Sequence, residues 1–460
     1  MIFTQYYLDC LSHASYLIGD ESGGRAVVVD PQRDVSGYLR DADAAGLTIE
    51  RVIETHVHAD FLSGHLELAA RTGATISYGD AAGVDFQIEP LADGTHLSLG
   101  EVDLEVRATP GHTPESISVV MREHADDETP YGVLTGDTLF IGDVGRPDLL
   151  SSIGCSREEL ADQLYDSLCT KLMTLPDATR VYPAHGAGSA CGKNLSTDLW
   201  STIGEQRRTN YAVLAPDRTT FVHLVTEGQQ PAPGYFGYDA MLNRQARELL
   251  DEDTPPTPLT YDEMVAAVAD GAILIDGRDP EEFARGHIRG AINIGLAGRY
   301  AEFAGSVVQP DVDLVLMVEP GDELESKNRL ARIGFDRVVG CLDDPYKTMF
   351  VHRDEVRVAS RLTVAAFDER RRDVAELQLV DVRNPGEVAE GAIDGAIPIP
   401  VGQLPARVSE LDPRRPTVVY CAGGYRSSVA ASVLRQRGFT DVSDIIGGYN
   451  AYADASRTTQ

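Results

Sequence analysis

The sequence predicts an α/β protein of several domains, on three observations. Short apolar strands alternate with helical stretches along the chain. Histidines and aspartates stand just after several of those strands. One segment of the back part occurs twice. Alternation of this kind points to sheets with helices packed on their faces. At 460 residues the chain exceeds one ordinary core, and about two to four domains are expected.

Composition narrows the function classes. The chain is 43% hydrophobic and 24% charged, with no low-complexity tract, as in globular domains. A net charge of −32 repels phosphates, which argues against nucleic acid or an anionic membrane as partner. Such charge favours solubility. Only Lys171, Lys193, Lys327 and Lys347 are lysines among the 40 basic residues, a bias we ascribe to genome composition or habitat. No apolar stretch reaches the roughly 18 residues of a transmembrane helix. The first ten residues lack the basic and apolar regions of a secretory signal. The six cysteines are scattered without a Cys-x-x-Cys pair. A reducing, cytoplasmic setting is expected.

The stretch Asp251-Glu-Asp-Thr-Pro-Pro-Thr-Pro-Leu259 reads as an acidic, proline-rich linker. It closes a front domain over residues 1–250. Behind it, Leu274-Ile-Asp276-Gly-Arg278 through Gly286-His-Ile-Arg-Gly290-Ala matches Leu379-Val-Asp381-Val-Arg383 through Gly391-Ala-Ile-Asp-Gly395-Ala without a gap, at an offset of 105. Two copies of one domain follow, over 260–350 and 361–460, with a boundary near 351–360.

In chain order, the front domain shows strand-like Arg25–Val29, a helical segment, then Arg51–Glu54 running into Thr55-His56. Val102–Ala108 and Tyr131–Leu134 follow as strands. Each back repeat opens on an apolar strand, Ile273–Ile275 or Leu379–Val382. A second strand follows, Leu314–Val318 or Thr417–Tyr420, then a loop and a helix ending before Gly334-Phe335 or Gly438-Phe439.

Four motifs of the front domain sit at strand ends, where loops on a rigid sheet carry sites. They are Thr55-His56-Val-His58-Ala-Asp60-Phe61, Thr109-Pro-Gly-His112-Thr113, Thr135-Gly-Asp137-Thr and Tyr182-Pro-Ala-His185-Gly. One His-x-His alone is weak evidence for a metal. Four His/Asp positions in this order closely resemble the metallo-β-lactamase superfamily, over about residues 1–245. That resemblance implies an αββα sandwich. Its hydrolases carry His-x-His-x-Asp-His and two metals. Here Phe61 takes the last histidine's place and cannot coordinate, which disfavours a two-metal hydrolase.

The resemblance is to the persulfide dioxygenase branch. It implies one Fe(II) per chain, held by His56, His112 and Asp137. Two imidazoles and a carboxylate leave open positions on a non-haem iron, whereas zinc has no redox chemistry. His58, Asp60 and His185 would then orient ligands or handle protons, although Asp60 and His185 could still hold a weak second metal. Gly111–Ser118, Ile141–Asp148 and His185–Lys193 also resemble this branch. Arg146 either binds a carboxylate of the thiol carrier or closes internally on Asp148 or Asp60. Cys191 is read as a packed cysteine, with a sulfur relay as the alternative. Cys10, Cys155 and Cys169 are read as packed.

The last repeat carries Val418-Val-Tyr420-Cys421-Ala422-Gly423-Gly424-Tyr425-Arg426-Ser427-Ser428 ahead of a helix. A strand delivers the cysteine into a short glycine-containing loop at a helix N-terminus. Loop N–H groups and the helix dipole stabilise a thiolate or persulfide anion, and Arg426 adds charge for sulfite or thiosulfate. The segment resembles the rhodanese active loop, and Asp381, Arg383 and Gly391 match that family's landmarks. Phosphatases of related architecture share Cys-x5-Arg and are the local rival. Aligned on Gly334-Phe335, the middle repeat reads Met317-Val-Glu319-Pro-Gly-Asp322-Glu323. It has no cysteine there, and Asp322 falls at the arginine position. The middle repeat is therefore expected to be catalytically silent, a spacer or docking surface. Cys341 lies too late in the repeat to substitute.

Over nearly its full length, the chain resembles persulfide dioxygenase–rhodanese fusions. This implies oxidation of a low-molecular-weight thiol persulfide by O2 to sulfite and thiol, with Cys421 linking sulfite, thiosulfate and persulfide. A zinc thioester hydrolase of the glyoxalase II type is the rival. A non-catalytic sulfur carrier or sensor is a second one. The family allows a homo-oligomer, a dimer being common.

Overall fold

The computed structural model describes residues 1–149 and 156–458. Its chain divides into two compact units. The first comprises Met1–Ala232 with Phe236–Leu250, the second Asp251 onward with Pro233–Tyr235.

The first unit holds two six-stranded sheets. In one, Ile2–Leu8, His13–Asp20, Arg25–Val29, Thr48–Ile53, Thr75–Gly79 and Glu89–Leu91 lie side by side in chain order. The first three run antiparallel. The next pairings are parallel: helices Ser36–Ala44 and His65–Thr72 carry the chain back for the first two, and the helix-free segment 80–88 does so for the third. The other sheet runs from His96–Ser98 through Asp103–Ala108, Ile117–Arg122, Gly132–Gly136 and Arg180–Pro183 to Ser201–Thr202.

Period-two alternation sorts these strands into layers. Val27 and Val29 face Leu104, Val106, Val119 and Leu134 between the sheets. Ala26 and Val28 turn outward beneath Tyr38, Ala42 and Leu68 of the first helices. On the other face Val120, Val133 and Val181 pack under Leu164, Phe221 and Val225. The unit is thus an αββα sandwich, as the sequence predicts. The strand expected at Tyr131–Leu134 runs instead over Gly132–Gly136, directly ahead of Asp137.

The second unit contains two five-stranded sheets of the same order. Pro258–Leu259, Val338–Leu342, Leu314–Met317, Ile273–Asp276 and Ile292–Asn293 form one; Ser360–Leu362, Val442–Ile445, Thr417–Tyr420, Gln378–Asp381 and Ile397–Pro398 form the other. Every pairing in both is parallel. The repeated Asp-x-Arg…Gly pattern has one structural job in both copies. Arg278 grips Asp276 and donates to the Gly286 carbonyl at 2.9 Å. Arg383 grips Asp381 and donates to Gly391 at 2.7 Å. Each buried arginine ties a strand end to the loop after the next helix.

Sheet register refines the comparison of the two repeats. Asp276 pairs with Met317 as Asp381 pairs with Tyr420, so Val318, not Met317, stands where Cys421 does. The alignment on Gly334-Phe335 is one residue off here, because the silent repeat has one residue fewer between this position and its Gly-Phe pair, its helix Glu323–Ala331 being shorter than Tyr425–Gln436. Among the described residues, no helix is long and apolar enough to cross a membrane.

Candidate active sites

The front site is assembled from strand ends of both sheets. His56 follows Thr48–Ile53, His112 follows Asp103–Ala108, and Asp137 follows Gly132–Gly136. All three are buried, and one donor atom from each lies within 4.8 Å of the others. His56 Nε2 is 3.9 Å from Asp137 Oδ2, and His112 Nε2 is 3.5 Å from the same oxygen. A first-row ion holds such donors at about 2.1 Å, so two ligands of one ion lie up to about 4.2 Å apart. Both distances fit. His56 Nε2 and Asp137 Oδ2 are buried without a hydrogen-bond partner, a costly state unless a cation meets them.

The other atoms of the three residues are anchored. Thr55 Oγ1 donates to Asp30 Oδ2 at 2.8 Å and so accepts from His56 Nδ1 at 3.0 Å. His112 Nδ1 donates to the Arg146 carbonyl at 2.9 Å. Each ring therefore presents Nε2 inward, as metal-bound histidines are usually held. Burial opposes ionisation of Asp137, yet His185, His56 and His112 hold its carboxyl well below the usual range. Gly136 has φ +50°, and a Cβ there would lie 2.6 Å from Thr55 Oγ1. Only glycine lets the two loops close this far.

His58, Asp60 and His185 divide between two neighbouring groups. His185 bridges the carboxylates, with Nδ1 2.7 Å from Asp137 Oδ1 and Nε2 2.7 Å from Asp60 Oδ2. Burial disfavours its charge, but Asp137 and Asp60 keep it protonated well above the ordinary range. Asp60, His185 and Cys191 form a second buried three-donor group. The packed reading of Cys191 is therefore incomplete: it is buried, but its sulfur faces the site, and burial pushes its thiol up. His58 turns Nε2 to Asp30 at 3.0 Å and Glu54 at 3.3 Å. Against burial, those carboxylates push His58 up to about 10. Phe61 fills the space beside it, its ring 3.8 Å from that of His13 and 4.4 Å from that of His58.

Arg146 resolves toward its internal partner. Its fork closes on Asp148 at 2.7 Å through both Nε and Nη2, and the side chain is buried. A carrier carboxylate would have to displace Asp148. Cys169 corrects the packed reading given to it, for it is exposed at the end of a helix; Cys10 is half-buried, and Cys155 lies outside the described residues.

Sequence reasoning missed four contributors to this site. Asp30, with φ +50°, accepts from Thr55 N, Thr55 Oγ1 and His58. Glu54 and His13 are buried polar groups with no motif to mark them. Asn243 donates to the carbonyls of His58 and Phe61 and accepts from Ser63 N at 2.9 Å, pinning the 58–63 loop from the far end of the unit.

In the last repeat, Cys421 ends strand Thr417–Tyr420 and is buried. Gly424 N–H points at its sulfur from 3.1 Å, and the thiol lies 3.6 Å from Ser427 Oγ. Gly424 takes φ +102° to make the turn into helix Tyr425–Gln436. Gly423 is open to solvent. Beneath the loop, Tyr449 and Asn450 N–H groups hold the carbonyls of Cys421 and Ala422. Arg426 donates to both oxygens of Glu387, each at 2.6 Å. Cys341 sits buried in strand Val338–Leu342.

The comparisons with known proteins agree with this architecture. Residues 8–185 match the metallo-beta-lactamase superfamily; residues 260–347 and 363–455 each match the rhodanese-like domain. The mitochondrial persulfide dioxygenase ETHE1 of Bos taurus is 35% identical over 177 residues, 37% of this chain. The chain spans 63% of that protein's length. The cytoplasmic hydroxyacylglutathione hydrolase of Arabidopsis thaliana is 34% identical over 186 residues, 39% of this chain and 66% of the hydrolase. A crystal structure of a metallo-beta-lactamase from Staphylococcus aureus subsp. aureus COL is 34% identical, with a TM-score of 0.66, over 74% of this chain and 98% of its own. The chain belongs to the metallo-beta-lactamase superfamily, as a member whose sandwich is fused to two rhodanese-like domains and is related to persulfide dioxygenase.

Proposed function

We propose that the front unit is a mononuclear non-haem iron persulfide dioxygenase, and that the last repeat is a sulfurtransferase acting on the same pool of sulfur. One observation carries the reading. A complete three-donor site, His56, His112 and Asp137, stands beside Phe61, where a two-metal hydrolase needs a histidine. Dioxygenase and hydrolase relatives are matched at similar identity, so the reading rests on the donor set, which favours the dioxygenase.

Fe(II) bound there, one per chain, would supply the redox chemistry that joins dioxygen to sulfur, which zinc cannot. The chain's own residues do the rest. Thr55 and the Arg146 carbonyl fix the two imidazoles. Two imidazoles and one carboxylate would hold the ion and leave coordination positions for the persulfide anion and O2 that the chemistry requires. His185, clasped by Asp60 and Asp137, holds a proton beside the site. The overall change balances as RSSH + O2 + H2O → RSH + H2SO3. In the last repeat, the Cys421 thiolate attacks the outer sulfur of the thiol persulfide, breaking its S–S bond and releasing RSH. Sulfite or a second thiol then attacks the outer sulfur of the Cys421 persulfide, giving thiosulfate or a new persulfide and freeing the thiolate. Gly424 N–H supports the charged sulfur, and Arg426 binds the oxyanion once it parts from Glu387. Carrying both sites on one chain raises their effective concentration for each other.

The Asp60, His185 and Cys191 group favours a second reading, a zinc thioester hydrolase with two metals. Metal analysis with oxygen uptake on glutathione persulfide separates the two. We expect one iron per chain and uptake in the iron form alone. Stoichiometric zinc, no uptake after iron loading and thiol release from an acyl-thioester would establish the hydrolase instead.

A further inference from the structure

We propose that the silent middle repeat is a positioning element for the sulfurtransferase loop, which it holds through a seat for Tyr425 at Gly295–Gly298. This rests on reading Cys421 as a sulfurtransferase cysteine. Tyr425 lies between Gly424, whose N–H meets the Cys421 sulfur, and Arg426. Its side chain leaves its own repeat. The hydroxyl donates to the Gly295 carbonyl at 2.6 Å, and the ring packs 5.4 Å from that of Phe303.

The seat is shaped for an aromatic ring. A Cβ on Gly298 would lie 2.3 Å from Tyr425 Cε2 and 2.5 Å from Cζ. On Gly295 it would lie 3.4 Å from Cε2. At the repeat offset of 105 these positions are Pro400 and Gln403 in the last repeat, so the glycines belong to the silent copy alone. Arg329 holds the seat from behind, donating to the carbonyls of Leu296 and Gly298. Farther along the same helix, Ser428 Oγ donates to Asn293 Oδ1 at 2.7 Å, and Asn293 N–H donates to Ser432 Oγ at 2.9 Å. A ring fixed at the first residue of the helix fixes the preceding amide and the following arginine. The silent repeat thus sets two of the groups that face the sulfur.

The test uses the full chain with thiosulfate as donor and cyanide as acceptor. Three variants are compared: Gly298→Ala, Tyr425→Phe and Ser428→Ala. Peptide-resolved hydrogen exchange is followed over residues 421–426. Gly298→Ala should lower kcat/KM about tenfold, the cost of a small misplacement of reacting groups, slow alkylation of Cys421 and speed exchange of the loop. Tyr425→Phe, which removes only the hydroxyl, should move the same readouts in the same direction by less. Ser428→Ala touches the contact but not the seat; it should lower the melting temperature and spare the loop. Loop exchange and kcat/KM at wild-type values in both Gly298→Ala and Tyr425→Phe would overturn the proposal, as would equal effects of all three variants. A wild-type chain without sulfurtransferase activity would refute the parent reading alone, since loop exchange still reports on the seat.

Discussion

Arg426 and Glu387 meet fork to fork, two N–H···O contacts of 2.6 Å each across a distance of 39 residues. Glu387 also accepts from Asn384 N as part of a helix-capping box. Burial works against the carboxylate, but Arg426 holds it below the usual range, so the pair stays ionised at neutral pH. An oxyanion entering the loop must compete with this carboxylate. Glu387→Gln should therefore lower KM for thiosulfate about fivefold, the scale of one charge-assisted contact. A higher KM with unchanged kcat would mean that Glu387 chiefly aims the guanidinium.

The two proposed chemistries should separate by mutation. His112→Ala removes one of the three candidate donors and should abolish oxygen uptake on persulfide, leaving thiosulfate sulfurtransferase activity at its wild-type rate. Cys421→Ser should do the opposite. Loss of both activities in either variant would count against independent sites.

Thr55 is predicted to act through His56. Its hydroxyl relays Asp30 to the ring, which fixes the tautomer that presents Nε2. Thr55→Val keeps the shape and removes the relay. Metal affinity, read by competition with a chelator, should fall about 10- to 100-fold. An unchanged affinity would leave the ring held by packing alone.

The candidate donor set is legible in the sequence because each member stands within four residues of a strand end: His56, His112 and Asp137 arrive at one point once the strands are laid in order. The residues that hold them are not. Asn243 reaches the 58–63 loop across about 180 residues, and Glu387 meets Arg426 from another helix. No local pattern marks such pairings. Asp30 and Glu54 read as ordinary polar strand ends until the fold buries them around His58. The repeat is legible at its Asp-x-Arg turns, because identical side chains do identical work there. It misleads at the silent loop, where a shorter helix leaves one residue fewer before Gly334-Phe335 and puts Val318 in the cysteine position.

Phe61 should be what keeps the front site mononuclear. It stands against His58 and His13, next to Asp60, with His185 and Cys191 nearby as further donors. Phe61→His restores the missing imidazole. Under zinc loading, metal content should rise from one toward two per chain, and oxygen uptake by the iron-loaded variant should fall. A content still at one, in a folded variant, would mean that the carboxylate clasp on His185 rather than Phe61 excludes the second ion.

Glu67 should set the acid limit of the front unit. It is buried under two arginines, with Arg247 Nη1 at 2.6 Å and Arg33 Nε at 3.2 Å, and accepts from Leu250 N at 3.2 Å. The carboxylate thereby ties helix His65–Thr72 to the segment that closes the unit. Burial opposes its ionisation, but Arg247 and then Arg33 overcome that and lower its pKa. A carboxyl with a depressed folded pKa adds stability above its unfolded value of about 4.3, and loses that contribution as pH falls through the folded value. Glu67→Gln should therefore cost about 3 kcal/mol at pH 7, where a buried pair is broken and two guanidinium groups lose their counter-charge. It should also flatten the loss of stability below pH 4.5. Hydrogen exchange over residues 65–72 and 243–250 of the full chain reads both effects. Equal pH slopes in wild type and variant would place the acid-sensitive group elsewhere.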